Sequence, residues 1–175
     1  GYVALLGRMA ANKGVHRAIA VARTAGMRLK IAAKMREPHE HAYFEEFVRP
    51  HLGDDVVYLG EVDAAGKREL LASAAALLNP ISWREPFGMV MLESLACGTP
   101  VVGCPQGAAP EIVEHGRTGF LGDSDAELIN GLRSLGQIDR AVCREQARSR
   151  FSVEQMVEGY VSVFERHRIS NLATS

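Results

Sequence analysis

Short, nearly unbroken runs of apolar residues alternate along the chain with segments whose apolar positions recur every three or four residues. The first run covers residues 3–6, and the segment after it has a helical pattern of apolar positions: Val15, Ala18, Ile19 and Ala22. Further runs predict strands at residues 29–33, 56–59, 75–78, 101–103 and 119–121. Helical patterns separate these runs at residues 38–48, 63–73 and 86–97, then near Pro110, and continue alone from Ser124 onward.

Nearly continuous apolar runs are typical of strands that are covered on both faces. Strands that alternate with helices along the chain favour a parallel sheet with helices on both sides. The sequence therefore predicts an α/β fold, a doubly wound, Rossmann-like parallel sheet of about six strands with extra C-terminal helices. A chain of 175 residues suits one such domain.

Composition and charge narrow the class of protein. Apolar residues make up 47% and charged residues 23%, which are ordinary values for a globular domain and exclude a disordered or collagen-like chain. The net charge of −1 favours neither nucleic acid nor an anionic membrane as a partner. The longest apolar run, at residues 70–78, is too short to cross a bilayer, and no signal peptide is visible.

The chain has three cysteines, Cys97, Cys104 and Cys143, and no two of them form a CxxC pair. We therefore expect buried, unreactive thiols rather than a disulfide framework or a thiolate zinc site. Free cysteines are typical of a reducing compartment, so we expect a cytoplasmic protein.

The loop after the first predicted strand, residues 7–14, carries two cations. Open parallel sheets bind ligands beyond the carboxyl ends of their strands, so this loop is a candidate site. It lacks both the G-x-G-x-x-G and the Walker phosphate-binding motifs. Arg8 and Lys13 flank the start of the next helix, where backbone N–H groups and the helix dipole favour an anion. The loop predicts a phosphate site, and a solvated basic loop is the alternative.

Two glutamates follow the fourth predicted strand. If Pro86 occupies the first helical position, Glu85 and Glu93 lie about 12 Å apart along that helix. That separation is too long for a hydrolase pair and suits an elongated ligand with hydroxyl groups at both ends. Gly88 lets a ligand approach the backbone closely. The alternative is that Glu85 only stabilises the helix dipole and Glu93 lies on the surface.

Together these loops resemble a known family. The pattern G-R-x4-K-G of residues 7–14 and E-P-F-G-x4-E of residues 85–93 is similar to the retaining glycosyltransferases of family 4, also called group 1. The resemblance extends to C-G-T-P-V-V at 97–102, P-E-I-V at 110–113, T-G-F-L at 118–121 and R-F-S at 150–152. It implies the C-terminal, donor-binding domain of a GT-B fold.

The resemblance also implies roles for individual residues. Arg8 and Lys13 would bind the diphosphate, Glu85 the hydroxyls of the transferred sugar and Glu93 the ribose, with Arg8, Lys13 and Glu85 forming the catalytic set. Val62 and Lys67 would border the base. The remaining donor-binding positions would be Gly7, Phe87, Gly88, Met89 and Val90. Ala32-Ala33-Lys34 stands where many relatives have a glycine-rich turn, so Lys34 is either a further phosphate or sugar contact or a solvated residue. The turn at 106–109 has one glycine where many relatives have two.

By this resemblance, the whole protein would transfer a glycosyl unit from a nucleoside diphosphate sugar with retention and without a metal or other cofactor. Because the chain opens at Gly1 and continues directly into an apolar run, we expect an N-terminal acceptor domain outside residues 1–175. The fragment alone should transfer little, and any membrane contact is expected only through the absent domain. A nucleotide-sugar epimerase or a non-catalytic nucleotide-sugar binding module remains the alternative.

Three other features have simpler interpretations than a ligand site. Asp123 and Asp125 spell D-x-D, but Ser124 followed by Glu127 predicts a helix-capping box rather than a metal site. His39, His41 and His51, near Glu37 and Glu40, are expected on a solvated helix face. Trp83 could line the sugar pocket or pack internally.

The last helix carries four large apolar residues at roughly helical spacing: Phe151, Met156, Tyr160 and Phe164. We expect this helix to act as an interdomain brace rather than a membrane anchor.

Overall fold

A single parallel sheet organises the chain. The computed structural model describes residues 1–172, with side chains described as far as residue 166. Within these residues the strands pair in the order β3-β2-β1-β4-β5-β6, and every pairing is parallel. The strands are β1 (Tyr2–Arg8), β2 (Arg28–Lys34), β3 (Val56–Gly60), β4 (Ala76–Asn79), β5 (Val101–Gly103) and β6 (Gly119–Leu121). The predicted α/β class and doubly wound sheet are confirmed.

Helices connect successive strands and extend beyond the last one. They are α1 (Val15–Thr24), α2 (Pro38–Phe47), α3 (Ala64–Ser73), α4 (Met89–Ala96), α5 (Ala109–Ile112), α6 (Asp125–Arg133), α7 (Arg140–Phe151) and α8 (Val153–Leu172). Short 3₁₀ turns lie at Ala11–Lys13, Arg49–His51 and Leu135–Gln137. The Ser124–Glu127 capping box predicted before α6 is confirmed.

Apolar side chains fill both faces of the sheet, because successive residues of a strand point to opposite sides. On β1, Val3 and Leu5 pack in one core cluster with residues of α1, α2 and α6. Ala4 points the other way and packs with residues of α3, α4 and α7. Cover on both faces of the sheet therefore explains why the strand sequences are almost continuously apolar, as inferred from the sequence.

The strand order reverses at β1, which lies between β2 and β4. A ligand-binding crevice forms at such a reversal, because the loops leaving the two central strands turn to opposite faces of the sheet. Here those are the loop after Arg8 and the loop after Asn79. The fold therefore brings together the two loops that carry the candidate residues.

The helix expected from Pro86 begins only at Met89, so this prediction was wrong. Gly88 lies just before the helix with a left-handed φ of 79°, which interrupts helical geometry between Pro86 and Met89. The rise per helical residue behind the predicted separation of Glu85 and Glu93 therefore does not apply to residues 85–88, which form a loop.

The C-terminal helices also differ from expectation. Phe151 is the last residue of α7 and packs against the core, so it does not belong to the last helix. The chain turns at Ser152, whose ψ of 163° is extended, and α8 starts at the next residue. Met156, Tyr160 and Phe164 do lie on α8 and are exposed. The interdomain role of α8 stays a prediction.

Candidate functional site

Lys13 and Glu85 form an ion pair between the loops that follow β1 and β4. The Lys13 Nζ lies 2.6 Å from the Glu85 Oε2, and the side chains are only 23% and 18% exposed. The same ammonium lies 4.6 Å from the centroid of the Trp83 ring, within cation–π range. Trp83 therefore contacts a predicted site residue while keeping part of its ring exposed.

Backbone contacts join the two loops and fix this pair. The Ser82 N–H donates a 3.0 Å hydrogen bond to the carbonyl oxygen of Asn12, next to Lys13. Gly14 has a left-handed φ of 69°, and a Cβ there would overlap the carbonyl oxygen of Pro80. A larger residue would force the loops apart, so glycine at this position lets Lys13 reach Glu85.

A third loop, after β5, holds the backbone of Glu85. The Ala108 N–H donates a 2.8 Å hydrogen bond to the Glu85 carbonyl oxygen. Gly107 has a φ of 58°, and a Cβ at this position would overlap the same carbonyl. One glycine in this turn therefore meets the steric need of the contact.

Residues 87 and 88 lie directly before α4, and residues 89 and 90 begin it. Phe87 and Met89 are more than half exposed, at 58% and 57%, and Val90 is half-buried. Gly88 is buried, and a Cβ there would overlap the terminal methyl of Met91. The backbone N–H groups of the first helical turn point along the axis, where they can bind an anion.

Glu93 pairs with Lys67, which joins α4 to α3. The Lys67 ammonium donates a hydrogen bond to the Glu93 carboxylate, and both side chains are about two-thirds buried. Val62, in the loop after β3, is half-buried against the core cluster beside α3. The structure thus brings Glu93 together with Lys67, whereas Glu85 is paired separately with Lys13.

Arg8 ends β1 beside a cavity of about 220 Å³ lined by Arg8, Lys34, Arg36, Glu37 and Glu40. Strand register places Lys34 next to Arg8, and the Met9 N–H donates to the Lys34 carbonyl at 3.0 Å. Gly7, the preceding residue, is a half-buried strand residue paired with Ala33. Lys34 therefore lies beside Arg8 in the same cavity lining, and its contact with a ligand stays a prediction.

Glu40 is the site residue that the sequence analysis missed, because it was expected on a solvated face. It is 2% exposed, and its Oε1 lies 3.4 Å from the Nε of Arg8. Its Oε2 accepts hydrogen bonds from the Arg36 and Glu37 N–H groups, at 2.8 and 3.1 Å. These bonds, aided by the Arg8 charge, lower the pKa of Glu40. A glutamate three residues after Glu37, at the start of a helix, was the available capping-box signal.

The histidines near Glu40 do follow the expectation of a solvated surface. His39, His41 and His51 are exposed. Among the described residues no three His, Cys, Asp or Glu side chains are arranged to hold a metal ion.

The three thiols are free, as the sequence predicted. Cys104 and Cys143 are buried and Cys97 is partly buried. Burial raises the pKa of each thiol, that of Cys143 to about 11, so all three are protonated at neutral pH.

No helix among the described residues has the length and apolar character needed to span a bilayer.

Solved structures with the same architecture include AviGT4 and HepE. AviGT4, a glycosyltransferase involved in avilamycin A biosynthesis, is 31% identical, with a TM-score of 0.77 over 94% of this chain and 50% of its own. HepE from Anabaena, in complex with UDP and glucose, is 25% identical, with a TM-score of 0.78 over 94% of this chain and 48% of its own.

Curated proteins match along much of the sequence. N-acetyl-alpha-D-glucosaminyl L-malate synthase of Bacillus anthracis is 34% identical in an alignment of 126 positions that covers 65% of this chain and 31% of that protein. Alpha-maltose-1-phosphate synthase of Mycolicibacterium smegmatis is 30% identical in an alignment of 187 positions that covers 92% of this chain and 48% of that protein. This chain therefore spans less than half of the length of both relatives.

The family model of the glycosyl transferases group 1 matches residues 1–137. The matched segment contains the whole sheet and all the paired cations and carboxylates described above, from Arg8 to Glu93. The chain therefore belongs to the glycosyl transferases group 1 family.

Proposed function

We propose that this chain is the donor-binding domain of a retaining glycosyltransferase, completed by an N-terminal acceptor domain. The observation that carries the proposal is the Lys13–Glu85 pair, which lies between the two loops at the reversal of the sheet. A cation for the diphosphate lies directly beside a carboxylate for sugar hydroxyls. The UDP and glucose in HepE support a nucleotide sugar as the donor.

The donor would lie along the carboxyl ends of the strands. We assign the diphosphate to Arg8, Lys13 and the first backbone N–H groups of α4, with Gly7 and residues 87–90 around it. Glu85 would accept hydrogen bonds from the transferred sugar and Glu93 from the ribose. Val62 and Lys67 would border the base.

In the transfer step, the acceptor hydroxyl oxygen bonds to the anomeric carbon on the face that the diphosphate leaves. The bond from that carbon to the diphosphate oxygen breaks, and the acceptor proton passes to the leaving phosphate. Negative charge grows on the diphosphate as its bond breaks. Arg8 and Lys13 would stabilise this charge without a metal ion. The acceptor hydroxyl would be positioned by the N-terminal domain, so the present chain should transfer little alone.

Calorimetry with UDP, GDP and ADP, in buffer containing EDTA, tests the proposal. One of these nucleotides should bind, and the Lys13→Ala variant should weaken that binding by about 1–3 kcal/mol, the range for charge-assisted hydrogen bonds. Lys30→Ala is the matched control, because the Lys30 ammonium packs 4.0 Å from the Tyr2 ring within the sheet. Absence of binding to all three nucleotides, or equal losses in both variants, would refute the assignment.

A further inference from the structure

The buried carboxylate of Glu40 uses its two oxygens differently. Oε2 caps the start of α2 by accepting the N–H groups of Arg36 and Glu37. Oε1 is buried and has no hydrogen-bond partner among the described residues. Its nearest charged neighbour is the Arg8 Nε at 3.4 Å, which is ion-pair rather than hydrogen-bond geometry.

Helix capping does not require this charge. A glutamine at the same capping-box position can accept the same backbone N–H groups. A buried carboxylate oxygen without a hydrogen bond is destabilising, because it gives up solvation by water. The negative charge of Glu40 therefore needs a second explanation, and its Oε1 faces Arg8.

Arg8 needs such a partner. Its side chain is 53% exposed and lines a cavity with two other cations, Lys34 and Arg36. Repulsion from these cations and the freedom of a long side chain would spread the guanidinium over several positions. Arg36 is paired with Glu61 at 3.0 Å, whereas Arg8 is paired with the fixed carboxylate of Glu40.

We propose that Glu40 is a positioning residue that aims the Arg8 guanidinium at the donor diphosphate, an inference that rests on the proposed function. The carboxylate faces Nε, so the terminal Nη groups of Arg8 are left for phosphate oxygens. Glu40 itself does not touch the donor. It lowers the cost of ordering Arg8 before the ligand arrives.

The sign of the change in nucleotide affinity distinguishes a positioning role of Glu40 from simple electrostatic repulsion. Simple electrostatics predicts tighter anion binding when a carboxylate near the site is neutralised. Positioning predicts the reverse for Glu40→Gln, which keeps the helix cap but loses the attraction to Arg8. We expect this variant to bind UDP, or whichever of GDP and ADP binds the chain, about three- to tenfold more weakly. The matched control, Glu37→Gln, removes an equal charge from the same cavity and should bind equally well or more tightly.

A double-mutant cycle separates positioning from a merely structural effect. If Glu40 acts through Arg8, then Arg8→Ala combined with Glu40→Gln should bind no more weakly than Arg8→Ala alone. Arg8→Lys keeps the charge but lacks the Nε and the planar fork, so its affinity should fall close to that of Arg8→Ala. If Glu40→Gln lowers the melting temperature, Arg8→Lys provides the test instead, because it leaves Glu40 unchanged.

Three results would each overturn the role of Glu40. They are unchanged or tighter binding by Glu40→Gln, additive losses in the double variant, and wild-type affinity in Arg8→Lys. Those results would leave the donor site intact, because the wild-type chain would still bind the nucleotide. Failure of the wild-type chain to bind UDP, GDP and ADP would instead overturn the proposed function, and this inference with it.

Discussion

In the free chain the Lys13 ammonium is already paired with a carboxylate, that of Glu85, at 2.6 Å. In the proposed function this carboxylate binds the transferred sugar, and Lys13 binds the diphosphate. In the free chain Glu85 therefore competes with an incoming diphosphate for the Lys13 ammonium. We predict that Glu85→Gln binds a nucleoside diphosphate more tightly than the wild-type chain does. The same variant should lose affinity for the intact nucleotide sugar relative to the diphosphate.

The size of the gain follows from the geometry. Both side chains are mostly buried, so their hydrogen bond is screened less than a surface pair, and such charged bonds contribute about 1.5–3 kcal/mol. Glutamine keeps a neutral hydrogen bond to Lys13, worth about half of that amount. The net gain is therefore about 1 kcal/mol, which corresponds to about fivefold in affinity. Removing the repulsion between carboxylate and phosphate acts in the same direction.

Calorimetric titration with the nucleoside diphosphate and with its glucose conjugate measures both effects. Glu45→Gln is the control, because that carboxylate pairs with Arg49 on the exposed surface, outside the cavity beside Arg8. In a Lys13→Ala background, the gain from Glu85→Gln should disappear, since no ammonium remains to be released. Weaker diphosphate binding by Glu85→Gln would refute the competition, and a gain that persists without Lys13 would show that it has another cause.

Two further predictions concern stability. Gly107→Ala should destabilise the chain by about 1–3 kcal/mol in urea unfolding, because its φ is left-handed and its Cβ would overlap the Glu85 carbonyl. Gly26→Ala shares a left-handed φ of 72° with no atom within 4 Å of its Cβ, so equal losses in both variants would contradict the steric argument. The pKa of Cys143 is raised from its ordinary 9.0 to about 11, because burial disfavours the thiolate. Folding stability should therefore fall as pH rises from 9.0 to about 11, and Cys143→Ala should flatten that decline in a pH series of urea midpoints.

The sequence predicted most of the elements because their signals are local. The strands at 101–103 and 119–121 match β5 and β6 because short apolar runs between prolines and glycines leave few alternatives. The start of α4 was missed because Pro86 is a strong local signal for a first helical turn. A long-range contact overrides it, since Ala108 holds the Glu85 carbonyl and Gly88 takes a left-handed φ.

Charge pairing in the site was not predictable from the sequence. Lys13 and Glu85 are 72 residues apart, and Lys67 and Glu93 are 26 apart, so only the folded sheet shows which carboxylate meets which cation. Glu40 was missed for a related reason. A glutamate between two exposed histidines resembles a solvated face, and its burial depends on how α2 packs against the end of β1.

The three ion pairs of the candidate site differ in which partner can leave. The carboxylates of Glu85 and Glu93 are partly exposed, and each is bonded to a lysine side chain rather than to backbone. Under the proposed function, each would exchange its lysine for a hydroxyl of the ligand. Glu40 is buried and fixed by two backbone N–H groups, so in that pair only Arg8 can move. A bound nucleotide sugar would therefore replace the pairs of Lys13 and Lys67 and preserve that of Arg8. Neutralising Glu85 should then favour the diphosphate, whereas neutralising Glu40 should disfavour it, although both changes remove one negative charge from the same edge of the sheet.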